Sequence, residues 1–123
     1  MWKQPKPKHK QFTEWLWVVW YPENLHMGER VDIGAFTLIQ AQAGVWMGND
    51  VQIGSHCSIY SVSTIDNKFG FIIIEDGARI GTHCTIMPGI TVGQNALIAA
   101  HSFVNKNVPE GAFAYGAPIR IKT

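Results

Sequence analysis

Three histidines are the side chains of this sequence best suited to move a proton. His56, His83 and His101 each lie three places after an aliphatic residue, in an outward-facing position of a six-residue repeat. Imidazole titrates near neutral pH and is the most frequent general base in enzymes. His83 and His101 are eighteen residues apart, which is three repeats, so they are expected to stack on one face. The alternative is that all three are interface or surface histidines without a catalytic role.

Asp66 is the acidic candidate. It lies in the segment Ser61–Gly70, which interrupts the repeat. A carboxylate there could orient an ammonium group or a hydroxyl group of a bound molecule. It could equally cap a turn, because Asp and Asn commonly bond their own backbone in turns. The candidate catalytic residues are therefore His83, His56 and Asp66.

The repeat predicts the elements that position these residues. An α-helix has a hydrophobic period of about 3.6 residues and a plain strand a period of about 2 residues, so neither produces a six-residue repeat. A parallel β-helix does, because each short strand ends in a tight corner where small residues fit. The aliphatic positions are Met27, Ile33, Ile39, Met47, Ile53, Ile59, Ile65, Ile74, Ile80, Ile86, Val92, Ile98 and Val104.

A second inward position follows four places after many of these aliphatic residues. Two of its occupants are Cys57 and Cys84, the only cysteines of the chain. Counting repeats places them on different faces, which favours buried packing residues over a disulfide. The full set is Thr37, Ala43, Cys57, Ser63, Ala78, Cys84, Ala96 and Ser102.

Two interruptions of the repeat predict loops. They fall around residues 40–44 and 64–72, where the spacing is two and three residues too long. A β-solenoid accepts insertions mainly at its corners. Both loops are therefore expected at one edge of the stack, and such loops often carry binding chemistry.

Length and composition indicate one small domain without a nucleic-acid partner. The chain has 123 residues, 46% of them hydrophobic, and a formal net charge of +1. Dedicated nucleic-acid binders carry a strong basic excess, which is missing here. Nothing in the sequence is typical of secretion, so a cytoplasmic location is expected.

Residues 1–23 are predicted to be a basic and aromatic tail and cap, ahead of the repeat at 24–123. The apolar run Trp15–Tyr21 is too short to span a bilayer, which takes about 20 residues. It is expected to seal the open end of the stack, where a bare strand edge would otherwise be exposed. A membrane-surface anchor is the alternative. The lysines of a solvated tail are Lys3, Lys6, Lys8 and Lys10.

Four segments of the second half carry a family resemblance. They are Ile74–Gly89, Ile98–Lys106, Val108–Gly111 and the closing Tyr115–Arg120, which contains Gly-Ala-Pro-Ile-Arg. Together they resemble the hexapeptide-repeat acyltransferases. Within that superfamily they are most similar to the maltose and galactoside O-acetyltransferases and to the sugar acetyltransferases of surface-polysaccharide pathways.

This resemblance implies an all-β, left-handed parallel β-helix, with an apolar N-terminal cap and a short C-terminal tail. It also implies a homotrimer that binds acetyl-CoA between neighbouring subunits and acetylates a sugar or nucleotide-sugar. The handedness comes from the resemblance alone, because general rules for parallel crossovers favour the right hand.

The resemblance also implies which residues hold CoA. Thr82 and Ala100 match the pantetheine contacts, and Asn105 and Lys106 match the contacts to the nucleotide. Arg120 matches a basic residue near the adenosine phosphates. Lysine and arginine suit a ligand with several phosphate charges. Either could instead be an ordinary surface cation.

The catalytic loop departs from the family pattern. Related O-acetyltransferases have a histidine in the loop that corresponds to Ser61–Asp66, and this sequence has none there. An asparagine expected near Gly34–Phe36 to bind the acceptor is also missing. A positioned base contributes roughly 10²–10⁴ in rate to attack by a hydroxyl group. An unprotonated amine needs it less, because positioning supplies much of the acceleration.

The sequence therefore favours N-acetylation of an amino sugar by direct attack of the amine on the thioester. O-acetylation with a histidine base is the first alternative, and a catalytically silent trimeric scaffold is the second. Some β-helices of this kind are zinc enzymes with two histidines close together in one coil. No such pair occurs here, so no metal is expected.

Overall fold

The repeat folds into short strands that stack in three parallel sheets around one core. The computed structural model describes residues 1–122, so the last residue of the predicted repeat domain lies outside the described part. Sheet A contains β1 (Val18–Trp20), β4 (Leu38–Gln40), β7 (Ser58–Tyr60), β12 (Thr85–Ile86) and β15 (Phe103–Val104). Sheet B contains β2 (Leu25–Met27), β5 (Val45–Met47), β10 (Ile72–Ile74) and β13 (Thr91–Val92).

Sheet C and a separate hairpin complete the strands. Sheet C contains β3 (Asp32–Ile33), β6 (Gln52–Ile53), β11 (Arg79–Ile80), β14 (Leu97–Ile98), β16 (Phe113–Tyr115) and β17 (Arg120–Ile121). The hairpin consists of β8 (Val62–Ser63) and β9 (Lys68–Phe69). The chain visits A, B and C in turn, with one 3₁₀ turn at Pro22–Asn24. The predicted parallel β-helix is confirmed.

The repeated aliphatic residues form the core by stacking in register between coils. In sheet A, Ile39 pairs with Ile59, Ile59 with Ile86, and Ile86 with Val104. All four are fully buried. Because each inward side chain meets an aliphatic side chain above and below it, the apolar face is continuous along the axis.

Three side chains that the repeat places inward are not buried. Ile65, expected to point inward, is 97% exposed at the hairpin tip, and Ser63 and Ala43 are only half-buried. The chain leaves the coil after Ser61, not after Ile65. The inward positions at this corner are filled instead by Ala41, Ser61 and Ile72.

The two interruptions lie at the same corner, as predicted, but only the second projects. Both connect sheet A to sheet B, and this corner is called the A–B corner below. At residues 40–44 the chain makes a tight turn in which Gln40 and Gly44 are buried. At residues 62–69 it forms the antiparallel hairpin.

The cysteines are buried, but their predicted placement on different faces is wrong. Cys57 directly precedes β7 and Cys84 directly precedes β12. These strands are neighbours, with Ser58 opposite Thr85, so the two cysteines stack on the same corner. The hairpin lies outside the coil and takes up more residues than the three by which the repeat is too long, so the two cysteines are one turn of the β-helix apart. Both thiols are free. The neighbouring Cys57 thiol and burial raise the pKa of the Cys84 thiol, which keeps it protonated.

The chain covers both ends of the stack. At one end Trp17 is 2% exposed, and the Trp2 indole donates to the Val31 carbonyl at 3.3 Å. At the other end β17 turns back antiparallel on β16 and Ile119 is buried. Among residues 1–122 no helix is long and apolar enough to cross a membrane. The division into a cap and a repeat domain at residue 23 stays a prediction.

Truncation of a core residue tests this packing. Ile86→Ala removes a fully buried side chain between two other aliphatic layers. We expect it to lower the free energy of unfolding by about 2–5 kcal/mol, because the cavity cannot close around so regular a stack. Urea unfolding followed by circular dichroism measures the loss. Thr85→Ala, at the adjacent half-buried outward position, is the control. Equal losses in both variants would contradict the assigned register.

Candidate functional site

The three candidate histidines stack on one corner of the β-helix. This corner connects sheet C to sheet A and is called the histidine corner. The rings of His56 and His83 are 4.7 Å apart and 3° from parallel, and those of His83 and His101 are 4.9 Å apart and 17° from parallel. Phe36 continues the row at 5.3 Å from His56. The predicted stacking of His83 on His101 is confirmed, and His56 joins it because the hairpin lies outside the coil.

Tight corner geometry holds these rings in place. His56, His83 and His101 all have left-handed backbone conformations, with φ between 57° and 60°. Consecutive coils approach so closely that a Cβ on Gly81 would lie 2.6 Å from the backbone nitrogen of Ala100. Only glycine fits there, which explains its place before the turn. The rings therefore repeat at nearly the spacing of neighbouring strands, about 4.8 Å.

The hydroxyl of Thr82 lies within hydrogen-bonding distance of His83 and orients its ring. Thr82 Oγ1 donates its single proton to the carbonyl of Ser55 at 2.7 Å. Thr82 Oγ1 also lies 2.8 Å from His83 Nδ1, and when the hydroxyl proton goes to Ser55, Nδ1 is the donor of this bond in neutral imidazole. The lone pair of His83 is then left on Nε2. This arrangement orients the imidazole of His83. The only sign of this contact in the sequence is that a threonine directly precedes the histidine.

Two of the predicted CoA contacts lie at the same corner. Thr82 and Ala100 occupy consecutive coils, and the backbone amide of His101 donates to the Thr82 carbonyl at 2.9 Å. Arg120 lies in β17 opposite Tyr115, at the end of sheet C that leads toward this corner. Thr82, Ala100 and Arg120 thus follow one side of the β-helix.

Asn105 and Lys106 lie at the A–B corner, away from the histidines. They directly follow β15, whereas His101 precedes it, so a strand of sheet A separates them. Both side chains are exposed. One chain alone does not bring Lys106 beside Thr82.

Asp66 also lies at the A–B corner, in the turn of the hairpin. The hydroxyl of Ser63 donates to Asp66 Oδ1 at 2.5 Å, and Lys68 Nζ lies 3.5 Å from Oδ2. The hydrogen bond from Ser63 lowers the pKa of this carboxyl, and the charge of Lys68 adds to the effect. Asp66 is therefore an ionised side chain tied into its own turn.

Removing the hydroxyl donor should change this titration. Ser63→Ala is expected to raise the pKa of Asp66, because the hydrogen bond that favours the carboxylate is lost. The wild-type bond stabilises the hairpin above the unfolded pKa of Asp66, and that stability is lost as the pH falls through the folded pKa. NMR titration of the side-chain carboxyl measures the midpoint. Thr64→Ala, which removes the next hydroxyl, is the control. An unchanged midpoint in Ser63→Ala would show that this bond does not form in solution.

The rings at the histidine corner are not arranged to hold a metal. Two concave regions of the described chain lie against residues 3–8 and 11–15 and against Pro22–Met27, away from this corner. Stacked rings face one another, so their nitrogens do not converge on one point. Within residues 1–122 no group of three His, Cys, Asp or Glu side chains is arranged around a common centre. A molecule bound at this corner would need a second surface to enclose it.

Comparison with known proteins agrees with this geometry. Residues 71–106 match the family "Bacterial transferase hexapeptide (six repeats)". The chain is 27% identical over 109 residues to the galactoside O-acetyltransferase of Lactococcus lactis, covering 81% of this chain and 53% of that protein. It is 42% identical over 55 residues to the dTDP-3-amino-3,6-dideoxy-alpha-D-galactopyranose 3-N-acetyltransferase of Aneurinibacillus thermoaerophilus, covering 45% and 29%.

A solved structure matches over nearly the whole fold. It is a hexapeptide-repeat acetyltransferase of Vibrio cholerae in complex with acetyl coenzyme A, with a TM-score of 0.82 and 27% identity. The match covers 87% of this chain and 63% of that one. The fold is therefore a left-handed parallel β-helix of hexapeptide repeats, as predicted. Residues 71–106 thus match the hexapeptide repeat of bacterial transferases, and the chain spans about half the length of the galactoside O-acetyltransferase that it resembles.

Proposed function

We propose that this protein is an acetyl-CoA-dependent acetyltransferase that acetylates the amino group of a sugar or nucleotide-sugar. The histidine corner carries the proposal, because it aligns Thr82, His83 and Ala100 on one side of consecutive coils. A related structure with this fold was solved with acetyl coenzyme A bound. An extended pantetheine arm can follow such a ladder of corners, which are about 4.8 Å apart.

The transfer needs no further cofactor. The amine lone pair attacks the thioester carbonyl, the new C–N bond forms, and the C–S bond breaks to release CoA as its thiol. The nitrogen loses one proton, which passes through His83 Nε2 or water to the departing sulfur. Orientation of the two reactants supplies much of the acceleration. No metal enters this scheme.

Two observations favour an amine acceptor. Residues 61–70 contain no histidine that could serve as base on a hydroxyl group. The relative from Aneurinibacillus thermoaerophilus is named as an N-acetyltransferase of a nucleotide-linked amino sugar. A hydroxyl acceptor is the second candidate, favoured by the tethered His83 with its free Nε2. That imidazole has the orientation that a general base requires.

Charged residues at both corners would hold the nucleotide of CoA. Lys106 and Arg120 supply positive charge for its phosphates, and Asn105 supplies an amide for hydrogen bonds. Lys106 and the hairpin lie at the A–B corner, whereas Thr82 lies at the histidine corner. A closed threefold ring would place one subunit's A–B corner against the next subunit's histidine corner. We therefore propose a homotrimer, acting in the cytoplasm.

The trimer has a direct test. The hairpin exposes Ile65 and Phe69 at 97% and 80%, and a neighbour would cover them. Light scattering on a sizing column should give about 41 kDa, three times the 13.7 kDa of the chain. Ile65→Asp should shift the mass toward the monomer, whereas Lys68→Gln, in the same hairpin, should not. A wild-type monomer would contradict the shared site.

Release of free thiol from acetyl-CoA tests the function. The acceptor panel pairs nucleotide-linked amino sugars with their hydroxyl counterparts and adds simple galactosides and maltosides. Turnover with amines alone is the expected result. Turnover with the hydroxyl sugars would favour His83 as base. Failure to bind CoA at all would leave the silent trimeric scaffold as the better account.

A further inference from the structure

Lysines and exposed aromatic side chains share one concave surface at the start of the chain. It has a volume of about 610 Å³ and is lined by residues 3–8 and 11–15. Lys6 and Lys8 lie on one part of it and Phe12 and Trp15 on another. This surface, together with the neighbouring Leu16, is called the basic-aromatic face. It adjoins the histidine corner, where the rings of Phe12 and Phe36 are 6.2 Å apart, but includes none of the residues used in the proposed function.

An excess of positive charge lies at the start of the chain, where this face is located. Residues 1–20 contain four lysines and one glutamate, a net +3, whereas the rest of the chain has six cations and eight carboxylates, a net −2. Lys3 pairs with Glu14 at 3.4 Å, and Lys10 Nζ lies 4.6 Å from the Trp20 ring centre. Lys6 and Lys8 are exposed and form no ion pair within the described chain. They are available for an anionic partner.

The apolar part of the face is held rigidly in solvent. Phe12 is 60% exposed, Leu16 47% and Trp15 40%. The backbone of Leu16 donates to Thr13 and that of Thr13 donates to Trp17, which close a tight turn. The next side chain, Trp17, is buried and anchors that turn in the core. Large apolar side chains held in water mark an interaction surface.

We propose that the basic-aromatic face docks on the surface of an anionic phospholipid bilayer. Phe12, Trp15 and Leu16 enter the boundary between headgroups and acyl chains, where aromatic side chains are favoured. Lys6 and Lys8 contact the lipid phosphates. Stable attachment usually takes two such signals, apolar insertion and a basic cluster, and this face supplies both.

Charge favours a membrane over a second copy of the protein. Like faces brought together would each carry a net positive charge and would repel. An anionic bilayer instead attracts this end, while the net −2 of the remaining chain points the β-helix away from it. Docking does not depend on acyl transfer, so it can be tested by binding alone.

Vesicle sedimentation of the full chain tests the proposal. We expect binding to mixed phosphatidylcholine–phosphatidylglycerol vesicles, with weak binding to phosphatidylcholine alone. Raising the ionic strength from about 0.1 M to about 1 M should release the protein, because screening shortens from about 10 Å to about 3 Å. Tryptophan fluorescence should shift to the blue on binding. Each lysine near the surface is worth about fivefold in partitioning.

Matched variants locate the binding surface. Lys6→Gln with Lys8→Gln should weaken partitioning by about 25-fold, and Phe12→Ser should weaken it while leaving the charge unchanged. Arg79→Gln with Lys122→Gln removes the same charge elsewhere and should have little effect. No binding to the mixed vesicles, equal binding to neutral vesicles, or equal losses in both double variants would overturn the proposal. So would apolar burial of this face in a homo-oligomer, seen as protection of Phe12 and Trp15 without vesicles.

Discussion

Replacing Lys106 and Arg120 together with alanine is expected to raise the KM for acetyl-CoA on the order of 10²-fold while kcat changes little. Hydrogen bonds to charged groups each contribute about 1.5–3 kcal/mol, and these two side chains are proposed to bind the phosphates. The phosphates are remote from the reacting carbonyl, so the lost contacts are the same in the ground state and the transition state. Steady-state kinetics with varied acetyl-CoA measures the change.

The donor itself supplies the sharpest control. S-acetylpantetheine has the same thioester but no nucleotide, so the double variant and the wild type should use it equally well. Lys122→Ala removes a nearby cation and should leave both donors unaffected. An unchanged KM for acetyl-CoA in the double variant would remove the proposed placement of the nucleotide. An equal loss with S-acetylpantetheine would show that the substitutions act on the fold.

Replacing His83 with alanine is expected to separate the two candidate reactions. A hydroxyl acceptor would lose roughly 10²–10⁴ in kcat, because its proton must be removed during attack. An amine acceptor would lose far less, since its free base attacks directly and water can take the proton. The kcat for paired amino and hydroxyl sugars, measured across pH, distinguishes these outcomes.

Neighbouring residues control for disruption of the stack. His101→Ala also removes a stacked ring but leaves the bond between Thr82 and His83 Nδ1 in place. It should therefore have little effect on either acceptor. Thr82→Val keeps the volume of the side chain but removes the hydroxyl that is hydrogen-bonded to His83. It should therefore shift the pH profile of any reaction that uses His83. A loss of amine transfer as large as that of hydroxyl transfer in His83→Ala would contradict direct attack.

The fold could be predicted from the repeat because the first inward position of each repeat is occupied by an aliphatic residue or methionine. Aliphatic residues such as Ile59 and Ile86 lie at the expected positions and are fully buried. The errors share one cause. The sequence does not show where the chain leaves the coil, so Ile65 was placed inside and Cys57 was placed on a different face from Cys84.

Less of the candidate site than of the fold could be predicted from the sequence. The spacing of His83 and His101 predicts their stacking, whereas the inserted hairpin conceals that His56 belongs to the same row. The tautomer of His83 depends on the side-chain conformation of Thr82, which no spacing rule contains. The relation between the A–B corner and the histidine corner depends on a neighbouring subunit, which the sequence of one chain does not describe.

A crystal structure of the protein with CoA bound would test the central claim most directly. That claim is that acyl transfer takes place at the histidine corner. We predict pantetheine lying along Thr82 and Ala100, the thiol near His83 Nε2, and phosphates beside Arg120 and a neighbouring subunit's Lys106. CoA bound on another face, or a histidine corner buried against a neighbour with no room for the thiol, would contradict the account.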